Sequence, residues 1–139
     1  ILFSWLDPYG LGGHCLVSNI SLNGCYQCLY TNKALHNNAS FADAKQKRSF
    51  VKNISGCGSV YVPYGALDAN QTAILTVRKI LDVFACKETI NAVYSWKGSS
   101  ELFLQEGYNL SDRYKQTAEQ LEAGKSLFHQ PKCKLCGKG

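Results

Sequence analysis

Two Cys-x-x-Cys pairs stand far apart in the chain. One is Cys25-Tyr26-Gln27-Cys28 and the other is Cys133-Lys134-Leu135-Cys136. That spacing serves three chemistries: dithiol redox catalysis, zinc ligation by thiolates, and the disulfide frameworks of exported domains. A redox pair belongs at a helix N-terminus after a strand, and "GCYQC" offers a helix start without a βαβ setting or a thioredoxin-type flank. Four thiolates from the two pairs have a permissible spacing for zinc, with His14 beside Cys15 as a further candidate ligand. Other chemistries lack their residues. There is no Gly-x-Ser-x-Gly. His14, His36 and His129 read as surface residues, and the ten carboxylates show no local pairing of a glycosidase kind. "GLGGH" lacks the Lys-Ser/Thr of a phosphate loop. The expectation is a domain that is not an enzyme, with no catalytic residue and no cofactor.

Which cysteine chemistry applies depends on the compartment. Five Asn-x-Ser/Thr sequons begin at Asn19, Asn38, Asn53, Asn70 and Asn109, among only nine asparagines. With this Ser and Thr content, about one would arise by chance. The excess points to the secretory pathway, where glycosylated asparagines face solvent. Oxidising conditions then favour disulfides over a zinc site, so no metal is expected. All seven cysteines (Cys15, Cys25, Cys28, Cys57, Cys86, Cys133, Cys136) become disulfide candidates. Distant bridges restrict the unfolded chain more than tight ones. Each Cys-x-x-Cys pair is therefore expected to bridge outward, with Cys57 and Cys15 or Cys86 the first partners for Cys25 and Cys28. An odd count leaves one cysteine to pair outside the chain.

The elements that must position these groups read as follows. The 139 residues are 45% hydrophobic and 18% charged, which suits one globular domain over 1–139. No apolar run approaches a membrane span. No basic segment precedes an apolar one, so a signal peptide is not expected and the chain reads as a fragment of a longer protein. A net charge of +5, spread along the chain with some crowding at Lys125, Lys132, Lys134 and Lys138, is too mild to argue for nucleic acid. Residues 1–13 read as a lead-in strand or coil and a loop. Residues 25–34 fit a helix with Cys25, Cys28 and Leu29 on one face. A second, surface helix is expected from Ser40, with Asp43 at its third position. "SVYVPY" (59–64) reads as an edge strand. Asp68 and Gln71 have the spacing of a capping box for the longest helix, whose stripe of Ile74, Val77, Leu81 and Phe84, broadened by Ala73 and Ile80, reads as core. Residues 92–108 suggest short strands or loops. Ser111 caps a last helix with Tyr114, Ala118 and Leu121 on one face. The fold expected is mainly α with a small β element, a single disulfide-bonded domain, with α+β as the alternative.

Aromatic residues reach 12%, and Tyr61, Tyr64, Tyr94 and Trp96 fall in expected edges or loops, where such side chains anchor sugars, peptides or proteins. Cys25-x-x-Cys28-Leu29, then Cys57, then Asn70-Gln71-Thr72-Ala73 leading into Val77 and Arg78 resembles the later half of the plant SPARK ectodomain family, over roughly 55 residues. The departures are that Cys15 alone precedes the first pair and that the terminal pair has no counterpart. The ectodomains similar to ginkgo antifungal protein space their cysteines nearly alike, but the interval from Cys15 to Cys25 differs. Either resemblance implies a cell-surface module with no catalytic residues to carry over. The functional expectation is an extracellular recognition domain of a membrane-anchored glycoprotein, binding a protein, peptide or carbohydrate and not nucleic acid. Two rivals remain: a viral envelope glycoprotein subunit, and an intracellular zinc-binding domain of a larger polyprotein.

Overall fold

A three-stranded antiparallel sheet organises the chain. The computed structural model describes residues 1–30, 39–43, 45–46, 48–54, 56, 58–87, 90–117 and 132–136. In chain order come β1 (Leu2–Leu6), β2 (Gly12–Val17), β3 (Lys52–Asn53), β4 (Val60–Tyr61), α1 (Ala66–Phe84), β5 (Ala92–Lys97), α2 (Glu101–Gln105) and α3 (Asp112–Gln116). The main sheet runs β1-β2-β5, and β3 with β4 makes a separate ribbon. The architecture is α+β with one long helix, which corrects the mainly α expectation. The lead-in segment is a strand, as one of the two expected forms; the segment after it starts a second strand, β2, where a loop was expected, and 92–97 is a single strand.

Register places His14 directly across from Trp5 on one side and from Ser95 on the other. Side chains alternate between the two faces of a strand. Cys15, Val17, Tyr94 and Trp96 therefore join Leu75 of α1 in one cluster. Leu16 and Val93, on the opposite face, pack with Leu29 and Ala39. A third cluster of Leu11, Phe41, Phe103, Tyr108 and Tyr114 fills the space between the sheet end and α2 and α3. β2 is buried at all six positions, so its sequence shows no polar alternation.

α1 lies on the sheet by its more polar side. Thr72, Leu75 and Lys79 are its buried residues. The sheet explains the choice. The Trp96 indole N–H donates to Thr72 Oγ1 at 2.8 Å, and the Lys79 ammonium sits 4.2 Å from the centre of the Tyr94 ring while pairing with Asp82 at 2.8 Å. A buried indole N–H needs an acceptor and an aromatic face attracts a cation. Gly13 leaves room for Thr72, because a Cβ there would collide with Thr72 Oγ1 and Trp96 Nε1. The expected core stripe is consequently turned outward: Ile74, Val77, Leu81 and Phe84 are 55%, 54%, 62% and 81% exposed. Gly65 is the N-cap, and its N–H donates to Asp68 Oδ2 at 2.7 Å, so Asp68 is the third helical residue rather than the cap.

Two further expectations change. Residues 40–43 form no helix; Ala42 makes an isolated bridge with Leu110 and Phe41 is fully buried. The helix expected at 25–34 is a 3-10 turn over Tyr26–Leu29, and 31–38 lie outside the described residues. Ser111 does cap α3, accepting from the Tyr114 N–H at 3.2 Å; Ala118 and Leu121 lie outside the described residues.

Candidate metal centre

The two Cys-x-x-Cys pairs meet. Sγ of Cys25, Cys28, Cys133 and Cys136 all lie within 4.8 Å of one another. Cys25 faces Cys133 at 3.6 Å and Cys28 faces Cys136 at 3.4 Å. A disulfide needs a sulfur separation of about 2.05 Å. Four thiolates around one Zn²⁺, with Zn–S bonds of about 2.3 Å, span tetrahedral edges of about 3.8 Å. The two facing separations are close to the tetrahedral edge and too long for the bond. None of the six described cysteines is joined in a disulfide. This overturns the disulfide expectation: the pairs reach each other instead of bridging to Cys15, Cys57 or Cys86.

Local structure explains how each pair is presented. Cys25 caps the 3-10 turn and its carbonyl accepts the Cys28 N–H at 2.9 Å, which folds the first pair back on itself. Gly24 precedes it at φ 97°, a conformation glycine adopts without strain, and its N–H donates to Cys136 Sγ at 3.4 Å. The loop leading to Gly24 hangs on buried Asn91. Its amide donates to the carbonyls of Gly24, Leu22 and Asn19 at 2.6, 3.2 and 2.9 Å, and its Oδ1 accepts the Asn19 N–H at 2.6 Å. Asn91 carries no motif, so the sequence did not single it out.

The sulfurs differ in basicity. Burial acts to raise the Cys133 thiol, but the N–H groups of Cys136 and Leu135, with the Cys28 and Cys25 thiols, outweigh it and bring it down to about 6. Burial, with bonds to Cys133 and Cys136, pushes Cys25 upward. A thiol must lose its proton to ligate a metal, so the lowered Cys133 favours that exchange and the raised Cys25 opposes it. Four protein ligands would complete the coordination of zinc and leave no position for a substrate. Exposed Lys132 precedes the second pair and exposed Lys134 lies within it, where they would offset the net negative charge of a tetrathiolate centre.

The other candidate residues are placed elsewhere. His14 is fully buried, away from the sulfur cluster, and so is neither a surface residue nor a ligand. It belongs to a chain of hydrogen bonds. Arg113 Nη2 donates to Ser95 Oγ at 2.7 Å, Ser95 Oγ lies 2.7 Å from His14 Nδ1, and His14 Nε2 lies 2.8 Å from Asp7 Oδ2. Every partner is satisfied when Nε2 carries the proton and Nδ1 accepts from the serine. A serine, a histidine and an aspartate in sequence suggest a hydrolase, but Ser95 and His14 have no exposed surface and Ser95 Oγ is already engaged by Arg113. Trp5 stacks on the imidazole at 5.0 Å and Phe41 meets it edge-on at 4.9 Å. Burial lowers the Arg113 guanidinium to about 10, opposed by Asp7, so it stays charged at neutral pH.

Of the aromatic anchors, Tyr94 and Trp96 are core, whereas Tyr61 and Tyr64 are 49% and 57% exposed. Cys15 is buried under α1, Cys86 is exposed just after α1, and Cys57 lies outside the described residues, as do His36 and His129. Asn19, Asn53, Asn70 and Asn109 are exposed; Asn38 lies outside the described residues. No family model, curated protein or solved structure matches this chain.

Proposed function

We propose that this chain is a zinc-binding domain, working in a reducing compartment as part of a larger polypeptide, with Cys25, Cys28, Cys133 and Cys136 as the ligands of one structural ion. The observation that carries the reading is the convergence of four Sγ atoms within 4.8 Å, from two Cys-x-x-Cys pairs, at separations that fit a tetrahedral thiolate site. Closure by four protein ligands supports a structural role over a catalytic one. The three hydrophobic clusters contain none of the four ligands, and Leu29 already packs the first pair's segment against the sheet, so the ion would chiefly hold the 132–136 segment to a core that is formed without it.

The test is a metal analysis of protein purified under reducing conditions. The expected result is one zinc per chain, four thiols shielded from a thiol reagent until a chelator is added, and the absorption of tetrahedral thiolate coordination on Co²⁺ substitution. Cys28→Ser and Cys136→Ser should each lose the ion. A metal-free chain whose mass shows two disulfides among these four cysteines would refute the proposal. A glycosidase-sensitive mass would refute the reducing compartment.

A further inference from the structure

The outward face of α1 is a continuous apolar stripe exposed among the described residues. Leu67, Ile74, Val77, Leu81 and Phe84 are 81%, 55%, 54%, 62% and 81% exposed. With exposed Asn70 they fall at alternating intervals of three and four, the heptad spacing of a helix–helix seam. At 100° per residue the seam lies on the opposite side of α1 from Thr72, Leu75 and Lys79, which hold the helix to the sheet. The seam therefore faces away from the sheet.

We propose that the occupant is α1 of a second copy of this chain, packed antiparallel about a two-fold axis near residues 75 and 76. Three features support self-pairing. First, the seam runs from Leu67 to Phe84 within a helix spanning Ala66–Phe84, so two antiparallel copies overlap along their full length. Leu67 then meets Phe84 of the partner subunit, Asn70 meets the partner's Leu81, and Ile74 meets the partner's Val77. The two most exposed residues thus cover each other. Second, the flanking positions are Ala66, Ala73, Ile80, Gln71, Arg78 and Ala85; small side chains permit close approach, and Arg78 is the single charge. Opposed helix dipoles favour the antiparallel arrangement. Third, five large side chains at about 100 Å² of exposed surface each give about 1,000 Å² per pair, the size at which specific association begins. Asn70 against the partner's Leu81 is the one mismatch.

Sedimentation of the full zinc-loaded chain up to about 200 µM tests this, because a dimer's population follows protomer concentration. A concentration-dependent dimer is expected. Leu81→Lys should weaken it by more than about tenfold while circular dichroism and zinc content stay unchanged. Asn70→Leu should tighten it by about tenfold. Ile74→Glu and Val77→Lys should each weaken it, and the double variant should regain association, because the antiparallel register sets position 74 against position 77 of the partner. The proposal is overturned by a monomer over the whole range for both the native chain and Asn70→Leu, by a dimer indifferent to Leu81→Lys, or by a double variant that fails to recover. A monomer that instead binds a different protein through this face overturns it as well.

Discussion

Removing the Asp7 carboxylate tests whether the buried Arg113–Ser95–His14–Asp7 chain is structural. Asp7 is 4% exposed and accepts three hydrogen bonds: from His14 Nε2 at 2.8 Å, the Phe41 N–H at 2.6 Å and Ser40 Oγ at 2.9 Å. In Asp7→Ala the half-buried Ser40 hydroxyl can turn to water. The His14 and Phe41 donors cannot, and each stranded donor costs about 1–3 kcal/mol. Arg113 also loses the carboxylate that opposes its burial. The loss expected is about 3–5 kcal/mol, a large share of the roughly 5–15 kcal/mol that stabilises a domain. Asp7→Asn keeps an oxygen facing both stranded donors and presents an amide to Ser40, so it should cost only about 1–2 kcal/mol, the difference between a charged and a neutral acceptor. Urea unfolding at fixed zinc, followed by the fluorescence of Trp5 on the imidazole, reads both values. A cost under about 1 kcal/mol for Asp7→Ala, or equal costs for the two variants, would refute the reasoning.

Other outcomes follow from the same geometry. In the zinc-free protein, thiolate absorbance should show one group titrating near pH 6, assigned to Cys133. Because that group is depressed on folding, its stabilisation is fully present above the ordinary thiol value of 9.0 and is lost as pH falls through about 6, so the urea midpoint of the zinc-free chain should rise between those limits. Cys25, raised to about 12, works in the opposite direction only above pH 9.0. Asn91→Ala should leave all four ligands in place yet weaken zinc binding by about 10–100-fold in a competition titration, since it frees the loop that delivers Cys25. Gly13→Ala should destabilise the domain by at least about 2 kcal/mol in urea, because its Cβ enters the space of Thr72 and the Trp96 indole.

Some of this was legible in the sequence and some was not, for physical reasons. Ser111 as a cap depends on its own neighbours, and it was readable. The two Cys-x-x-Cys pairs were visible as a permissible ligand set, but no spacing shows that residues 108 positions apart meet, and the disulfides expected from the sequons are not what the sulfur separations show. Periodicity found a helical stripe on α1 but assigned it to the core, and the structure exposes it. It could not show that the opposite side would be drawn to the sheet by Tyr94 and Trp96, residues on a strand that lies after the helix. Phe41 was assigned to a surface helix because Ser40 and Asp43 look like a cap. In the folded chain Asp7, 34 positions earlier, takes the Phe41 N–H and turns that segment into core.

The separation of the ligand pairs also bears on how the chain is made. Cys25 and Cys133, like Cys28 and Cys136, are 108 residues apart. At about 5–20 residues per second, the first pair leaves the ribosome roughly 5–20 seconds before the second. During that interval two thiols wait beside strands whose own central pairing, β2 with β5, depends on residues made some eighty positions later. The early half of the polypeptide therefore has neither its partner cysteines nor its completed sheet when it emerges. Its thiols stay open to passing oxidants and alternative metals until nearly the whole sequence is present, which would make the protein's yield in cells sensitive to redox conditions during translation.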